Sequence, residues 1–254
     1  MDTQRLAAAV LDPLAVPADR LYRVSPELYR GLVEHGLIDP RRVALVDGLL
    51  VVEPARGNVA EADPMYRMPL ALYDEIARIG LLGPDDKTEL LDGLLVTKMT
   101  KGDPHRVATH LTRDALAAVV PRGWFVSKED PVALPTGPSG YASMPEPDLS
   151  VIRGTIRDYV RRKPGPDDLA LVVEVAESSL REDRAKFARY AREAVPVAWL
   201  VNLNDRIVEV YTNPTGPVTP ARYQEMATHG PGDRVPVLID GCAAGQIAVA
   251  DLLP

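Results

Sequence analysis

The sequence predicts an α/β fold, and three observations lead to that prediction. Residues 169–176 form a continuous apolar run of the kind found in central strands. Helical and strand-like patterns alternate along the chain from residue 104 onward. Two Asp-Gly dipeptides, Asp47-Gly48 and Asp92-Gly93, each separate two short apolar segments and therefore predict β-hairpins. A chain of 254 residues can bury a hydrophobic core that needs no disulfide or metal to hold it together.

Composition and charge exclude several classes of protein. Cys242 is the only cysteine, so a disulfide framework and a cysteine-rich zinc site are both excluded, and a bound metal would need oxygen ligands. The net charge of −7 argues against a surface that coats DNA, so any nucleic-acid contact has to be local. Asp12 and Pro13 interrupt the Ala-rich N-terminus, and no apolar run approaches the ~18 residues of a membrane span. We therefore expect a soluble, cytoplasmic protein that does not enter a membrane.

The first hundred residues contain an internal repeat, formed by residues 22–52 and 66–97. Each copy begins with Tyr-Arg, continues through a short amphipathic helix pattern and ends in an apolar strand pair around Asp-Gly. When the copies are aligned from that dipeptide, Glu89 of the second copy falls opposite Ala44 of the first. This predicts a degenerate N-terminal copy of a helix–hairpin unit, which is a candidate dimer surface or lid. A homodimer is one possible assembly.

Polar residues between the two copies predict a linker at residues 58–64. We therefore predict two parts, an N-terminal extension at residues 1–63 and the main domain at residues 64–254.

The main domain is predicted to continue with alternating helices and strands. Pro104 is suited to the first turn of a helix, and Ser179 with Glu182 forms an S-x-x-E capping box at the start of another. The predicted helices cover residues 104–120 and 180–193. The predicted strands cover residues 124–127, 131–134, 148–153, 169–176, 197–201, 207–211 and 246–249, and the rest of the C-terminal stretch is predicted to be irregular.

Glu174 is the most informative residue, because it lies in the middle of the most hydrophobic strand of the chain. An ionised carboxylate in such a place costs several kcal/mol unless it is paired or binds a metal. The alternatives are that Glu174 lies at an exposed sheet edge or pairs with an arginine. Glu89 has a similar pair of interpretations, either a site residue or a solvated strand residue.

Asp148 and Lys186 are the other candidates. Asp148 starts a strand that precedes the strand of Glu174, so adjacent strands could present both carboxylates at one end of a sheet. Two carboxylates suit Mg²⁺, or Mn²⁺ in its place, although Pro147-Asp148 alone is only a turn dipeptide. Lys186 follows on the predicted helix, where its ammonium could position a water near a phosphate or simply pair with Glu182 on the surface.

These residues carry a resemblance to a known family. The order Glu-Leu-Leu-Asp-Gly-x-Leu from Glu89, Pro104-His105, Pro147-Asp148-Leu-Ser-Val, Val-Val-Glu174-Val and Lys186 with Tyr190-Ala191 resembles the Uma-two family. That family belongs to the PD-(D/E)xK superfamily of nucleases, and the resemblance covers roughly residues 66–254.

The resemblance implies a restriction-endonuclease-like core, a mixed β-sheet flanked by helices, that cuts phosphodiester bonds with Mg²⁺. It implies that Asp148 and Glu174 are metal ligands, Lys186 the catalytic lysine and Glu89 an auxiliary acid. His105 matches a frequent histidine of the family. The superfamily lysine normally stands two residues after the strand glutamate, but that position is Ala176 here, so Lys186 has to reach in from the helix.

Two functional hypotheses follow. The first is an endonuclease that hydrolyses DNA and touches it through local basic clusters. The second is a non-catalytic module that binds nucleic acid or protein, in which the acids form ion pairs with arginines. The alternative interpretation of the basic clusters is a solvated loop and a solvated helix face. The clusters consist of Arg153, Arg157, Arg161, Arg162 and Lys163 and of Arg181, Arg184, Lys186, Arg189 and Arg192.

Overall fold

The computed structural model describes residues 16–52, 64–135, 141–178 and 180–254. The chain divides into two compact units, a first unit of residues 1–98 with 137–144 and a second unit of residues 99–136 with 145–254. The boundary predicted at residue 63 falls inside the first unit. Ser179 of the predicted capping box and residues 58–63 of the predicted linker lie outside the described residues.

The described part of the first unit contains two α-helices, each followed by a β-hairpin. The elements are α1 (Pro26–Glu34), β1 (Val43–Val46), β2 (Leu49–Val52), α2 (Leu70–Arg78), β3 (Thr88–Leu91) and β4 (Leu94–Thr97). Both hairpins turn at the predicted dipeptides, where Asp47 and Asp92 have φ of 49° and 47° and the following glycines have φ of 76° and 78°. Two successive residues with positive φ are what a two-residue hairpin loop requires, and this explains the Asp-Gly sequence.

The two helix–hairpin segments of the first unit exchange equivalent backbone hydrogen bonds. The Tyr22 N–H donates to Leu95 O of the second segment at 2.9 Å, and the Tyr66 N–H donates to Leu50 O of the first at 2.9 Å. Both segments also contribute to one hydrophobic cluster, which includes Leu32 and Ile76. The common origin of the two segments remains a prediction.

The second unit is built on a six-stranded mixed sheet. Its elements are α3 (Asp103–Val119), β5 (Trp124–Lys128), β6 (Leu149–Arg153), β7 (Leu169–Ala176), α4 (Leu180–Arg192), β8 (Val197–Asn202), β9 (Ile207–Pro214), β10 (Tyr223–His229), β11 (Arg234–Ile239) and β12 (Cys242–Ala248). The strand order is β10-β9-β8-β7-β6-β5, and β11 pairs with β12 in a separate hairpin. Strands β7 and β8 are parallel, whereas every other pair in the sheet is antiparallel.

The central strand β7 is buried on both faces. Val173 and Val175 belong to a hydrophobic cluster with Leu116 of α3, and Val172 belongs to a second cluster with Tyr190 of α4. One helix therefore covers each face of β7, and this explains why the strand is a continuous apolar run rather than an alternating one. Glu174 shares the face of Val172, which is the face that packs on α4.

Parts of the sequence-based prediction are wrong. Residues 131–134 do not form a strand, because successive N–H groups bond to different segments instead of to one neighbouring strand. The Val132 N–H donates to Pro145 O, and the Ala133 N–H donates to Pro164 O. The C-terminal stretch is regular rather than irregular, because it forms the strands β10 and β11, which the sequence does not predict. The last predicted strand, residues 246–249, is the end of the longer strand β12, which stops at Ala248. Strand β10 is largely exposed and polar, and β11 contains Pro236, so neither has a strong strand pattern. In the described parts of the chain, each helix is too short or too polar to cross a membrane.

Candidate active site

The pairing of β6 with β7 brings the two predicted carboxylates to one face of the sheet. Leu149 lies opposite Val173 and Ser150 lies opposite Val172. Continuing this antiparallel register by one residue places Asp148 opposite Glu174, and opposite residues in a sheet direct their side chains to the same face. Both side chains are buried, with 3% exposure for Asp148 and 2% for Glu174.

Three donors surround the carboxylate of Asp148. Its Oδ2 accepts hydrogen bonds from the Val175 N–H at 2.7 Å and from Nε2 of His105 at 3.1 Å, and its Oδ1 lies 2.6 Å from Nζ of Lys101. Burial raises the pKa of Asp148, but the hydrogen bond from His105 and the positive charge of Lys101 outweigh it and hold that pKa at about 2. Asp148 is therefore ionised at neutral pH.

Glu174 has different neighbours. The Tyr190 hydroxyl donates a hydrogen bond of 2.7 Å to Oε1, and Nζ of Lys186 lies 3.5 Å from Oε2. Strands β6 and β8 flank β7 on its two sides, so the alternative that Glu174 lies at an exposed sheet edge is wrong.

The pKa of Glu174 is raised to about 8. Burial is the largest cause, and the negative charges of Asp183 and Asp148 raise the pKa further, while Lys186 and the Tyr190 hydroxyl lower it. Without a bound cation, Glu174 is thus largely protonated at neutral pH. A buried acid whose pKa is displaced this far, beside a lysine and a second acid, is typical of functional sites.

Lys186 reaches Glu174 from α4, the helix that covers this face of the sheet. Its side chain is 15% exposed, which is less than a solvated surface lysine would have. Ala176, at the position where the superfamily pattern has its lysine, is fully buried. The structure thus brings together Asp148, Glu174 and Lys186, and their chemical roles remain predictions.

Lys101 and Glu129 also belong to this site, although the sequence does not predict it. The Lys101 ammonium lies 2.6 Å from Oε1 of Glu129, in addition to its contact with Asp148. Glu129 has a positive φ of 55°, which is uncommon for a non-glycine residue, and its N–H donates to Asp148 O at 3.2 Å. Both residues lie in irregular segments, so hydrophobic periodicity could not have identified them.

Glu89 belongs to the first unit. It lies on β3 opposite Val96 of β4, and it is 3% exposed. The alternative that Glu89 is a solvated strand residue is therefore wrong, because its carboxyl is buried. Its role as an auxiliary acid, which the resemblance implies, remains a prediction.

The basic clusters are placed differently from what the sequence suggested. Strand β6 runs away from Asp148, so the segment from Arg153 to Lys163 begins at the opposite end of the sheet. On α4, Arg189 and Arg192 are 2% and 7% exposed, and Arg184 pairs with the buried Glu209. The prediction that Arg189 and Arg192 contact DNA from the surface of α4 is therefore wrong.

The donor set at this end of the sheet fits Mg²⁺ in part. Mg²⁺ takes oxygen ligands, commonly from one or two carboxylates, and completes its shell with water and phosphate. Asp148 and Glu174 supply such oxygens. The described residues contain no group of three or more His, Cys, Asp or Glu side chains arranged to hold a metal ion. The remaining ligands would therefore come from water and substrate.

Comparisons with known proteins agree with this fold. Residues 71–243 match the model of the Uma2 family, which is described as "Putative restriction endonuclease". No curated protein matches the chain. A solved structure described as "a putative nuclease belonging to DUF820 from Anabaena variabilis ATCC 29413" is 17% identical, with a TM-score of 0.51 over 69% of this chain and 94% of that one.

At this level of identity the solved structure shows a shared fold, and the predicted nuclease-like α/β core is confirmed. The family match extends over more than half of the chain, and it includes Asp148, strand β7 with Glu174 and helix α4 with Lys186. The chain therefore belongs to the Uma2 family.

Proposed function

We propose that this protein is a Mg²⁺-dependent endonuclease that hydrolyses DNA phosphodiester bonds at Asp148, Glu174 and Lys186. The observation that carries the proposal is the buried Glu174 carboxyl, which has Lys186 at 3.5 Å and Asp148 as its cross-strand neighbour. A buried acid beside a second acid and a lysine has little structural justification on its own, because an apolar residue would fill the same space at lower cost. Membership of the Uma2 family supports the same reaction class.

Mg²⁺, or Mn²⁺ in its place, would when bound polarise a phosphoryl oxygen and lower the pKa of a water. Asp148 and Glu174 would hold the cation, and Lys186 would orient the nucleophile and offset charge that develops on the phosphate. His105 donates to Asp148 Oδ2 and so fixes the orientation of that carboxylate. Glu174 has to lose its proton before it can act as a ligand, so cation binding at neutral pH should release a proton.

The DNA contacts belong to the same proposal. Arg157, Arg161 and Lys163 are exposed in the segment between β6 and β7, where they are available to phosphates. Their segment leaves β6 and enters β7 at the end of the sheet opposite Asp148, so these residues would contact DNA away from the bond that is cut.

A second candidate function is a non-catalytic module that binds nucleic acid or protein. Its support is that internal groups already satisfy both acids, although these groups are not the arginines expected from the sequence. Lys101 and His105 pair with Asp148, and Lys186 and the Tyr190 hydroxyl contact Glu174. Such a protein would bind DNA in the same way with or without a divalent cation.

The two candidates are separated by cleavage assays on supercoiled plasmid, double-stranded and single-stranded DNA, and RNA, each with Mg²⁺, Mn²⁺ or EDTA. We expect cleavage of DNA that requires the metal and is lost in Asp148→Asn. The matched control is Asp114→Asn, whose carboxylate is 69% exposed and pairs with Arg113 on the surface of α3. Binding of DNA without cleavage under any of these conditions would favour the second candidate.

A further inference from the structure

Lys101 places its ammonium between two carboxylates at the candidate active site. Its Nζ lies 2.6 Å from Oδ1 of Asp148 and 2.6 Å from Oε1 of Glu129. No motif of the sequence points to this lysine, and the mechanism proposed above does not use it.

The oxygen that Lys101 occupies is the one a metal would need. Oδ2 of Asp148 already accepts from the Val175 N–H and from His105, which leaves Oδ1 to face an incoming cation. A divalent ion at ~2.1 Å from Oδ1 would come within a few ångströms of the ammonium. Like charges at such a separation repel strongly in a partly buried site, so the two cations cannot share this oxygen.

The surroundings of Lys101 allow its side chain to move away from Asp148. It belongs to neither a helix nor a strand, and its side chain is 37% exposed, whereas Asp148 is buried. Glu129 is 38% exposed and bonds to the same ammonium, so the lysine keeps one ion pair when it loses the other. The Glu129 N–H is hydrogen-bonded to Asp148 O, and this keeps the second anchor beside the site.

We propose that Lys101 competes with the metal for Oδ1 of Asp148. Its ammonium occupies this oxygen in the metal-free protein, and it has to leave Asp148 while it stays paired with Glu129 before a divalent cation binds. This inference rests on the proposed function, because it takes Asp148 as a metal ligand. The lysine satisfies a buried carboxylate in the metal-free protein and sets the metal concentration at which the site fills. Removing its charge should therefore tighten metal binding at Asp148.

The test is a Mn²⁺ titration of the full chain, in which free Mn²⁺ is followed by electron paramagnetic resonance and no substrate is present. We expect Lys101→Met to bind Mn²⁺ at least ~10-fold more tightly than wild type, which corresponds to about 1.4 kcal/mol. The matched control is Lys128→Met, because Lys128 lies 3.4 Å from Glu129 Oε2 and is not a partner of Asp148. Its affinity should stay within a factor of ~3 of wild type.

Two further variants keep the result interpretable. Lys101→Gln retains a hydrogen-bond donor for Asp148 while losing the charge, and it should also bind Mn²⁺ more tightly if Lys101→Met folds poorly by circular dichroism. Adding Asp148→Asn to Lys101→Met should remove the tightened site. Equal or weaker Mn²⁺ binding by both Lys101 variants, including no binding at all, overturns the inference.

Failure of the inference and failure of the nuclease proposal give different results. DNA cleavage without an effect of Lys101 on Mn²⁺ affinity contradicts the inference alone. A clear effect of Lys101 on Mn²⁺ affinity without any cleavage contradicts the nuclease proposal and supports the inference.

Discussion

The Lys186 ammonium lies 3.5 Å from Oε2 of Glu174, although the lysine is on α4 and the glutamate is on the central strand β7. The helix thereby supplies a cation at the place where the superfamily pattern would have a lysine two residues further along the strand. That strand position is the buried Ala176, whose face packs on α4.

We predict that Lys186→Met lowers the rate of DNA cleavage by ~10²-fold or more, because it removes the charge that stabilises the transition state. The fold should survive, since Tyr190 still donates to Glu174 and the protonated acid is tolerated in the core. Cleavage rates at saturating Mg²⁺ and far-UV circular dichroism check both parts.

The control for this variant is Lys163→Met, which removes an exposed lysine of the segment between β6 and β7. It should weaken DNA binding slightly and leave the rate at saturating DNA unchanged. Equal rates for the Lys186 and Lys163 variants would remove Lys186 from the mechanism.

The raised pKa of Glu174 predicts how stability depends on pH. The folded state holds a proton that the unfolded chain releases between the ordinary glutamate pKa of 4.5 and the folded value of about 8. The corresponding stabilisation is complete below 4.5 and is lost as the pH rises through about 8. Relative to Glu174→Gln, the free energy of unfolding of wild type should therefore fall between pH 5 and pH 9, as measured by urea unfolding in EDTA. A constant difference would show that Glu174 is ionised throughout.

Tyr190 should affect the pH at which Glu174 loses its proton. Its hydroxyl stabilises the ionised form of Glu174 and so lowers the pKa of that acid. Tyr190→Phe keeps the buried ring and removes this bond, so the pH at which Mn²⁺ binding reaches half of its maximum should move upward. Tyr159→Phe is the control, since the Tyr159 hydroxyl donates to Arg153 O at the other end of β6. A downward shift in Tyr190→Phe would contradict the assignment.

Asp148 should contribute strongly to stability as well as to activity. In Asp148→Asn the amide cannot accept from all the donors that now face the carboxylate, and the Lys101 charge loses one of its two partners. Breaking a buried pair in this way costs about 3–5 kcal/mol, whereas the exposed Asp114→Asn should change stability by less than about 0.5 kcal/mol. Urea unfolding of the two variants makes the comparison, and equal stabilities would mean that these donors find other acceptors.

The sequence was sufficient to predict the elements with strong local patterns. Strand β7 and the two Asp-Gly hairpins were predicted because a buried strand requires apolar residues and a two-residue loop requires positive φ. Glu174 was recognised because a charge in an apolar strand is costly. Helices α3 and α4 were predicted to within one residue at each end.

The remaining features depend on tertiary contacts that no local pattern encodes. Lys101 and Glu129 come from irregular segments, and only the packed structure brings them to Asp148. Arg189 and Arg192 were expected on a solvated face, but they are buried. Strand β10 is polar because it is the edge of the sheet, so its sequence does not differ from that of a loop.

Variants of Glu174 and Lys186 test whether the acids and the lysine form one catalytic centre. The measurement is the rate of Mg²⁺-dependent DNA cleavage by wild type, Glu174→Gln, Lys186→Met and the double variant. Residues that act as a unit show losses that do not add, so the double variant should be about as slow as either single variant. Cleavage by Glu174→Gln at the wild-type rate, or losses that multiply in the double variant, would show that the two residues do not form one catalytic centre.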